Sequence, residues 1–584
     1  MMYNDKTMKI TFKQEITTKN IKPKELIEIL LKNRNVTDPS LFLKPPSPLD
    51  LTLKDFGYNK EIEKTMKILK EIKSSGKTIV VYTDYDADGI TGGSILWETL
   101  HLLGFNVMPY VPHRQHEGYG FSEKGINNVK EKYDPALIIS VDHGITAVNQ
   151  IKYAKSIGIP VIVTDHHHKQ EKIPEDAVAI FHIPTLSGSG VAYFFAKEVY
   201  KSLRSRQVGS GNPKEIASSS LTPRNDQLLQ ENFRTDYLSL ASIGTIADLV
   251  PLVGPSRSVV TYGLKAFPFV KRVGIQQIIK EAGIENKLIT PFEVGFVIAP
   301  RINAVGRLEH AIDAMRLLCT TSRNKAVELA GKVGIKNTER KDLVKRNVEQ
   351  AKNILLEKEK TGELDNILIL HSKDWHEGVI GLIASNILET YYRPVIVMTQ
   401  ADGFFKGSAR SIPSFHITHF FEELKEYFMN FGGHAGAAGF TLPAEKLEAF
   451  IKEATKKANK QIKKKDLIRE MEVDIKLPIS AINMQLAKQM ESLQPFGIGN
   501  PTPSFLSDVI VQKSELFGKT QDHLKIIVKD VNGDGFPLEL IAFGKADLFT
   551  QLSRGQKTQV VYQVDINRWN GRESLRGRLL HIEI

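Results

Sequence analysis

The residues best equipped for chemistry are carboxylates and imidazoles that end apolar runs. Asp84-Tyr85-Asp86-Ala87-Asp88-Gly89 carries three carboxylates at alternate positions. Such charges repel one another, and a cation would reconcile them. Val141-Asp142-His143-Gly144 ends a second apolar run, and Asp165-His166-His167-His168 ends a third. Carboxylate and imidazole are ligands for Mn²⁺-like or Zn²⁺-like ions, and imidazole also moves protons near neutral pH. Asp248 sits in the apolar stretch Gly244 to Leu252, where a carboxylate needs a partner, a metal or a helix N-terminus to cap. An EF-hand is excluded for the first cluster, because the further oxygens and the Glu at set spacing are missing.

The elements that must position these groups are strands. Thr78 to Tyr82, Ala136 to Val141 and Val161 to Thr164 are runs of apolar and β-branched residues that read as buried strands. Helical patterns alternate with them, one from about Thr91 to Leu103 and one ending at Ile157. Strand, helix and strand in repetition predict an α/β fold with a parallel sheet. In a right-handed arrangement the carboxyl ends of such strands lie side by side, and ligands bind beyond them. Asp, Asp and His converging there suit two Mn²⁺ or Mg²⁺ ions, the equipment of phosphoester displacement.

Around this core the chain divides further. Residues 1–75 read as a helical preface and 76–321 as the catalytic α/β domain, with an aperiodic, flexible insertion at 204–231. Arg301, Asn303 and Arg307 lie in one motif whose arginines suit phosphate contacts. A charged helical pattern at 322–360 reads as a long linker helix. Residues 361–460 form a smaller α/β domain, in which Ser408-Ala409-Arg410 and Gly432-Gly433-His434 suit an anion. A basic helical connector, Lys452 to Lys465, leads into a helical segment at 461–490. The periodicity then turns to two, and five short strands within 491–584 predict an OB-type β-barrel. Phe517, Lys519, Trp569 and Arg572 would there offer stacking and charge to a single strand.

Composition sets limits. Lys and Arg number 78 against 67 Asp and Glu in 584 residues, a net charge of +11 that favours a polyanionic partner. The one cysteine, Cys319, excludes disulfides and Cys-x-x-Cys zinc sites. No apolar run is long enough to span a bilayer, and Met1 to Lys13 lacks a signal-peptide core, so a cytoplasmic protein with no membrane association is expected.

In order and spacing these motifs resemble the DHH phosphoesterase superfamily, and within it the RecJ family of single-strand-specific exonucleases. Asp84 to Gly89 is similar to the first DHH motif, Val141 to Gly144 to the second, Asp165-His166-His167 to the third and Ala247-Asp248 to the fourth. Arg301 to Arg307 is similar to a RecJ stretch, Ser408 to Ser411 and Gly432 to His434 to the DHHA1 domain, and Pro495 to Pro503 with the following strands to the RecJ OB domain. The resemblance implies 5′→3′ removal of mononucleotides from single-stranded DNA in recombination and repair. It implies two divalent ions, Mn²⁺ or Mg²⁺, on Asp86, Asp88, Asp142, His166 and Asp248, with Asp84 as ligand or support. His167 would stabilise charge or protonate the leaving oxygen, and Asp165 would orient a histidine. Arg301, Asn303, Arg307, Ser408, Arg410, Gly433 and His434 would bind substrate. It further implies a monomer that works with single-strand binding protein and a RecQ-type helicase. Thr83, where Gly is common, His143, where Asn is common, and Phe181-His182-Ile183-Pro184 depart from the family pattern.

Overall fold

Three strands, Ile79–Thr83, Leu137–Val141 and Val161–Asp165, are buried at every position, so both faces of their sheet are covered. Alternate side chains divide between the faces. Ile79, Val81, Ile139, Val141 and Ile162 enter one core, and Val80, Tyr82, Ile138 and Val163 enter another. With Val107–Tyr110 and Ala179–His182 as edge strands, the five run parallel in the order Val107–Tyr110, Ile79–Thr83, Leu137–Val141, Val161–Asp165, Ala179–His182. Thr83 pairs with Val141 and Val141 with Thr164, so the chain leaves all three central strands at the same edge.

The coordinates are a computed structural model that describes residues 8–117, 120–209, 221–362, 364–401, 403–533, 535–569 and 571–584. They form two compact units. One is Arg34–Thr338 with Leu493–Thr502; the other is the chain up to Asn33, Glu339–Ser492 and Pro503–Ile584. The division falls inside one helix, Arg323–Thr361. Among the described residues, no helix is long and apolar enough to cross a membrane.

The second unit holds two sheets. One has the order Asn430–His434, Ala437–Pro443, Phe404–Arg410, Val395–Ala401, Leu368–His371. The other is a barrel. Ser504–Phe517 pairs with His523–Asp530 on one side and Lys557–Trp569 on the other, and Leu538–Ala542 and Arg572–Ile582 complete the ring. This is the α/β fold with a parallel sheet, a smaller α/β domain and an OB-type barrel that the sequence predicts.

Several local expectations are corrected. The helix after the first acidic motif starts at Ala87, four residues early, because Asp86 accepts from the amides of Asp88 and Gly89 and caps it. The N-terminal preface is not wholly helical: Lys9–Glu15 is a strand paired in parallel with Glu470–Lys476, inside the segment read as a helical connector. Both segments alternate polar and apolar residues, as in Glu470-Met471-Glu472-Val473-Asp474-Ile475-Lys476, but the partners lie far apart in the chain, so only the fold shows that they pair. The insertion is shorter than expected. One helix runs over Gly188–Gly209, and another, Pro223–Arg234, is capped by Thr222 and buries Leu229 and Phe233; residues 210–220 lie outside the described residues. The basic segment belongs to the helix Leu447–Gln461, whose Phe450, Ala454 and Ala458 are buried in the core of the smaller α/β domain. Leu493–Thr502 belongs with the first unit and not with the barrel that follows it.

Replacing the central-strand residue Ile139, fully buried, by Ala should cost about 2–5 kcal/mol. A thermal melt should show a lower midpoint, whereas Phe536→Ser, at a side chain 94% exposed, should leave it unchanged.

Candidate active site

The edge at which the three strands end gathers the acidic motifs. Asp84, Asp88, Asp142 and Asp165 are all at most 2% exposed. Donor atoms of Asp84, Asp86 and Asp142 lie within 4.8 Å of one another, as do those of Asp88, His166 and Asp248, and those of Asp142, His166 and His167. His166 Nε2 is 3.2 Å from Asp142 Oδ1, 3.4 Å from Asp248 Oδ2 and 3.9 Å from Asp88 Oδ2. Yet Asp142 Oδ1 and His166 Nε2, both buried, make no hydrogen bond. Two buried polar atoms pointing into one cluster without a hydrogen bond fit a cation.

Backbone amides place several of the carboxylates. Asp88 Oδ2 and Oδ1 accept from the amides of Gly188 and Ser189 at 2.6 and 2.9 Å, the opening amides of the helix Gly188–Gly209. Asp142 has φ +67°, a strained position for a side chain with a β-carbon. Asp248 is not a helix N-cap: it ends the helix Asp236–Ala247 at its C-terminus, where the helix dipole disfavours an anion. Two glycines make the packing possible. A β-carbon at Gly188 would meet Asp142 Oδ1 at 2.3 Å, and one at Gly244 would meet Asp88 Oδ1 at 2.2 Å.

Crowding governs the electrostatics. Burial, then the charge of Asp86, pushes the Asp84 carboxyl up to about 8. Burial, then Asp88 and Asp86, does the same for the partly exposed Asp248, also to about 8. Asp86 is raised, and Asp142 is raised well above the usual range by burial and its four carboxylate neighbours. Burial holds the His166 imidazole down despite the nearby Asp88. These groups resist holding charge by themselves and would hold it around a divalent cation.

Asp165 and His167 behave differently. Asp165 Oδ1 accepts from the amides of His166 and His167 at 2.7 and 3.1 Å and from His167 Nδ1 at 2.8 Å, and Oδ2 accepts from Ile145 N at 2.9 Å. Burial alone would raise this carboxyl, but these bonds hold it below the usual carboxylate range. Burial opposes a charge on His167, but the bond to Asp165 and the surrounding carboxylates lift the imidazole to about 9. His168 is exposed and has no part in the cluster.

The departures from the family pattern are structural. Thr83 Oγ1 donates to Gly89 O and ties the strand end to the following helix. His143 packs against Tyr82 and Phe121, with Nε2 3.1 Å from Tyr82 O, and burial holds it neutral with a pKa of about 4. His182 Nε2 lies 2.6 Å from His167 O and so braces the catalytic strand end.

The helix Ala299–Leu308 carries three residues expected to meet substrate, and two of them do other work. Arg301 Nε donates to Glu281 Oε2 at 2.6 Å and Nη1 to Val297 O, so its charge is already neutralised. Asn303 Oδ1 accepts from Ala87 N at 2.7 Å and anchors the start of the acidic helix. Arg307 remains close enough for its charge to act on the Tyr85 hydroxyl. Arg114, missed from sequence, lies over the Tyr85 ring at 5.3 Å and its charge acts on Asp84. Its only sequence signal is the run Pro112-His113-Arg114 beside the first domain's motifs.

In the second unit, Ser408 and Arg410 sit on Phe404–Arg410 and Gly433 and His434 on Asn430–His434, the two strands that flank Ala437–Pro443. Ala437 pairs with Arg410 on one side and His434 on the other, and Ala438 pairs with Gly433. Arg410 Nη1 is 3.2 Å from Ser408 Oγ, and a β-carbon on Gly381, in the first turn of the helix Ile380–Tyr391, would lie 3.1 Å from Arg410 Nη2 and from Ser408 Oγ. Guanidinium, hydroxyl and helix N-terminus make an anion-binding group. Arg410 has no carboxylate partner among the described residues. On the barrel, half-buried Phe517 clusters with His523 and Phe543, the latter 56% exposed and both missed from sequence. Lys519 and Arg572 are exposed, and Arg572 pairs with Trp569, whose side chain lies outside the described residues.

Comparison with known proteins agrees with this geometry. Residues 78–222 match the DHH family N-terminal domain, 364–460 the DHHA1 domain and 473–581 the RecJ OB domain. The single-stranded-DNA-specific exonuclease RecJ of Escherichia coli K12 is 30% identical over 531 residues, covering 88% of this chain and 89% of that one. The Salmonella typhimurium protein of the same name is 31% identical over 533 residues, with 88% and 89% covered. The Bacillus subtilis relative is 33% identical over 509 residues; this chain spans 61% of its length, and 86% of this chain is matched. The crystal structure of Thermus thermophilus RecJ in complex with Mn²⁺ superposes with a TM-score of 0.78 at 26% identity, covering 100% of this chain and 80% of that one. With its acidic motifs, its two α/β domains and its barrel matched in order along the chain, this protein belongs to the RecJ family of DHH phosphoesterases.

Proposed function

We propose that the protein is a metal-dependent 5′→3′ exonuclease, specific for single-stranded DNA, that releases 5′-mononucleotides in DNA recombination and repair. The observation that carries this reading is the cluster of five aspartates and His166, with Asp248 at its exposed rim, in which the buried Asp142 Oδ1 and His166 Nε2 are left without hydrogen bonds. Asp86, Asp88, Asp142, His166 and Asp248 would hold two Mn²⁺ or Mg²⁺ ions, with Asp84 beside them. When bound, such a pair supplies Lewis-acid stabilisation of phosphate charge and a nucleophile at neutral pH.

The remaining chemistry belongs to the chain. Hydrolysis adds water across a P–O3′ bond, leaving phosphate on the shortened strand and a 3′-hydroxyl on the released nucleotide. His167 holds a proton at neutral pH and delivers it to the departing O3′, or stabilises phosphate charge. Asp165 accepts from His167 Nδ1 and fixes the ring, which keeps the other ring nitrogen for the reaction. Arg307, Ser408, Arg410 and His434, with Gly433 allowing close backbone approach, engage substrate phosphates; Arg301 and Asn303 act instead by positioning. Phe517, Lys519, Trp569 and Arg572 engage the trailing strand. The same reading makes the protein a cytoplasmic monomer that works with single-strand binding protein and a RecQ-type helicase.

The deciding experiment is incubation with Mn²⁺ and single-stranded DNA labelled at either end, beside duplex and RNA controls. Early mononucleotide release from the 5′ label with the duplex spared is expected; cleavage confined to very short oligonucleotides would reject the reading. Asp142→Ala should abolish hydrolysis while DNA binding, followed by fluorescence anisotropy, stays measurable. Retained turnover would remove Asp142 from the ligand set.

Metal and pH should be linked. The folded-state pKa of Asp84 and Asp248 stands at about 8 against 3.8 when unperturbed. Between these values the folded protein keeps protons that the unfolded chain has lost, so metal-free stability falls as pH rises through that window. A cation replaces those protons. The rise in melting temperature on adding Mn²⁺ should therefore be small at about pH 5 and larger at about pH 8; an equal rise at both would exclude these carboxylates as ligands.

A further inference from the structure

Asp248 caps its helix through its own N–H, which donates to Gly244 O at 2.9 Å, and Leu249 N to Ile246 O and Val250 N to Thr245 O, both at 3.3 Å, close the turn behind it. It sits at the unfavourable end of the helix Asp236–Ala247, and Leu249 follows with φ +57°, a left-handed conformation costly for leucine. Beyond that turn, the loop is also held from far along the chain. Leu252 N donates to Ile498 O at 2.7 Å. Gly497 and Gly499 lie flat on the same loop: a β-carbon on Gly497 would meet Leu252 Cδ1 at 2.7 Å, and one on Gly499 would meet Pro251 Cβ at 3.0 Å. These contacts belong to the segment Leu493–Thr502, which lies in the same compact unit as Asp248 and immediately precedes the first barrel strand.

The segment is itself locked from the helix that follows the loop. Arg257, on Gly254–Ala266, is 1% exposed and has no carboxylate partner among the described residues. Its Nη2 donates to Leu493 O and Gln494 O at 3.0 and 2.8 Å, its Nη1 to Pro495 O at 3.3 Å and its Nε to Phe42 O at 2.6 Å, and the guanidinium lies 3.9 Å from the Phe42 ring centre. Asn500, fully buried, donates to Leu493 O and Pro495 O at 2.7 and 2.9 Å and accepts from Arg34 Nε at 3.0 Å. A buried cation spent wholly on backbone carbonyls is costly to desolvate, and here it converts a glycine-rich loop into a rigid pad.

We infer that Leu493–Thr502 is a brace for the metal centre, and that Arg257 and Asn500 are positioning residues that hold the Asp248 carboxylate in register with Asp88 and His166. The inference rests on the two-metal reading above. It gives the linker before the barrel a role in the metal site that it fulfils without touching substrate.

The test is Mn²⁺ binding by isothermal titration calorimetry on the full chain, well below its melting temperature, with single-stranded DNA hydrolysis alongside. Arg257→Met should weaken Mn²⁺ binding roughly 10-fold, lower kcat at limiting Mn²⁺ with KM for DNA unchanged, and recover in excess Mn²⁺. Lys197→Met is the control: Lys197 is a second buried cation bonded to backbone carbonyls, those of Pro48, Leu49 and Leu51. It should lower the melting temperature and keep Mn²⁺ affinity. Unchanged affinity in folded Arg257→Met, or equal weakening by Lys197→Met, would overturn the brace. If Arg257→Met does not fold, Asn500→Ala and Gly499→Ala carry the same two outcomes. A wild-type protein that binds no Mn²⁺ would overturn the two-metal reading and the brace with it, whereas normal wild-type binding matched by Arg257→Met overturns the brace alone.

Discussion

Mutual repulsion among five carboxylates in a nearly dry space is the constraint on which the first unit depends. Asp84, Asp86, Asp88, Asp142 and Asp248 sit within reach of one another, and burial raises the cost of each charge. Left alone, such a cluster would protonate or push its elements apart. The fold answers by immobilising several of the groups with backbone. The first amides of Gly188–Gly209 hold Asp88, a helix start capped by Asp86 fixes the first motif, and Asn303 anchors Ala87. The glycines at 188 and 244 let backbone come where a side chain would collide with a carboxylate oxygen. The strain at Asp142 and Leu249 is borne by the covered parallel sheet and by the packing of Leu493–Thr502.

Within this frame the two kinds of histidine separate by environment. His166 Nε2 lies among the carboxylates of Asp142, Asp248 and Asp88, and burial holds the imidazole below its usual range, which favours the neutral form a metal ligand needs. His167 is set against a carboxylate already satisfied by three backbone amides, so it keeps a proton. Adjacent residues of one type thus serve opposite purposes. The second unit supplies features suited to a polyanion and not to a metal: an arginine without a carboxylate partner beside a helix N-terminus, and a closed barrel with a clustered aromatic surface.

The chemistry was legible in the sequence where it is local. Carboxylates at the ends of all-apolar runs marked the sheet edge, because a strand buried on both faces has no polar positions to hide them. Period-two patterning marked the barrel strands. Legibility failed wherever a residue's partner is distant. Arg301 and Arg307 look alike in sequence, but only the fold sets Glu281 beside the first. Lys9–Glu15 alternates polar and apolar residues, but nothing local reveals its pairing, since its partner lies more than four hundred residues away.

By itself, the sequence determined which groups can react and which strand ends carry them, because residue type and short-range periodicity fix both the ligand chemistry and the direction of a buried strand. Tertiary structure alone decided which carboxylates share a site, that Asp248 enters it from the exposed end of a helix, and that the segment before the barrel holds the loop behind it. Those outcomes depend on long-range contacts among backbone carbonyls, glycine surfaces and one buried guanidinium, none of which leaves a periodic trace along the chain.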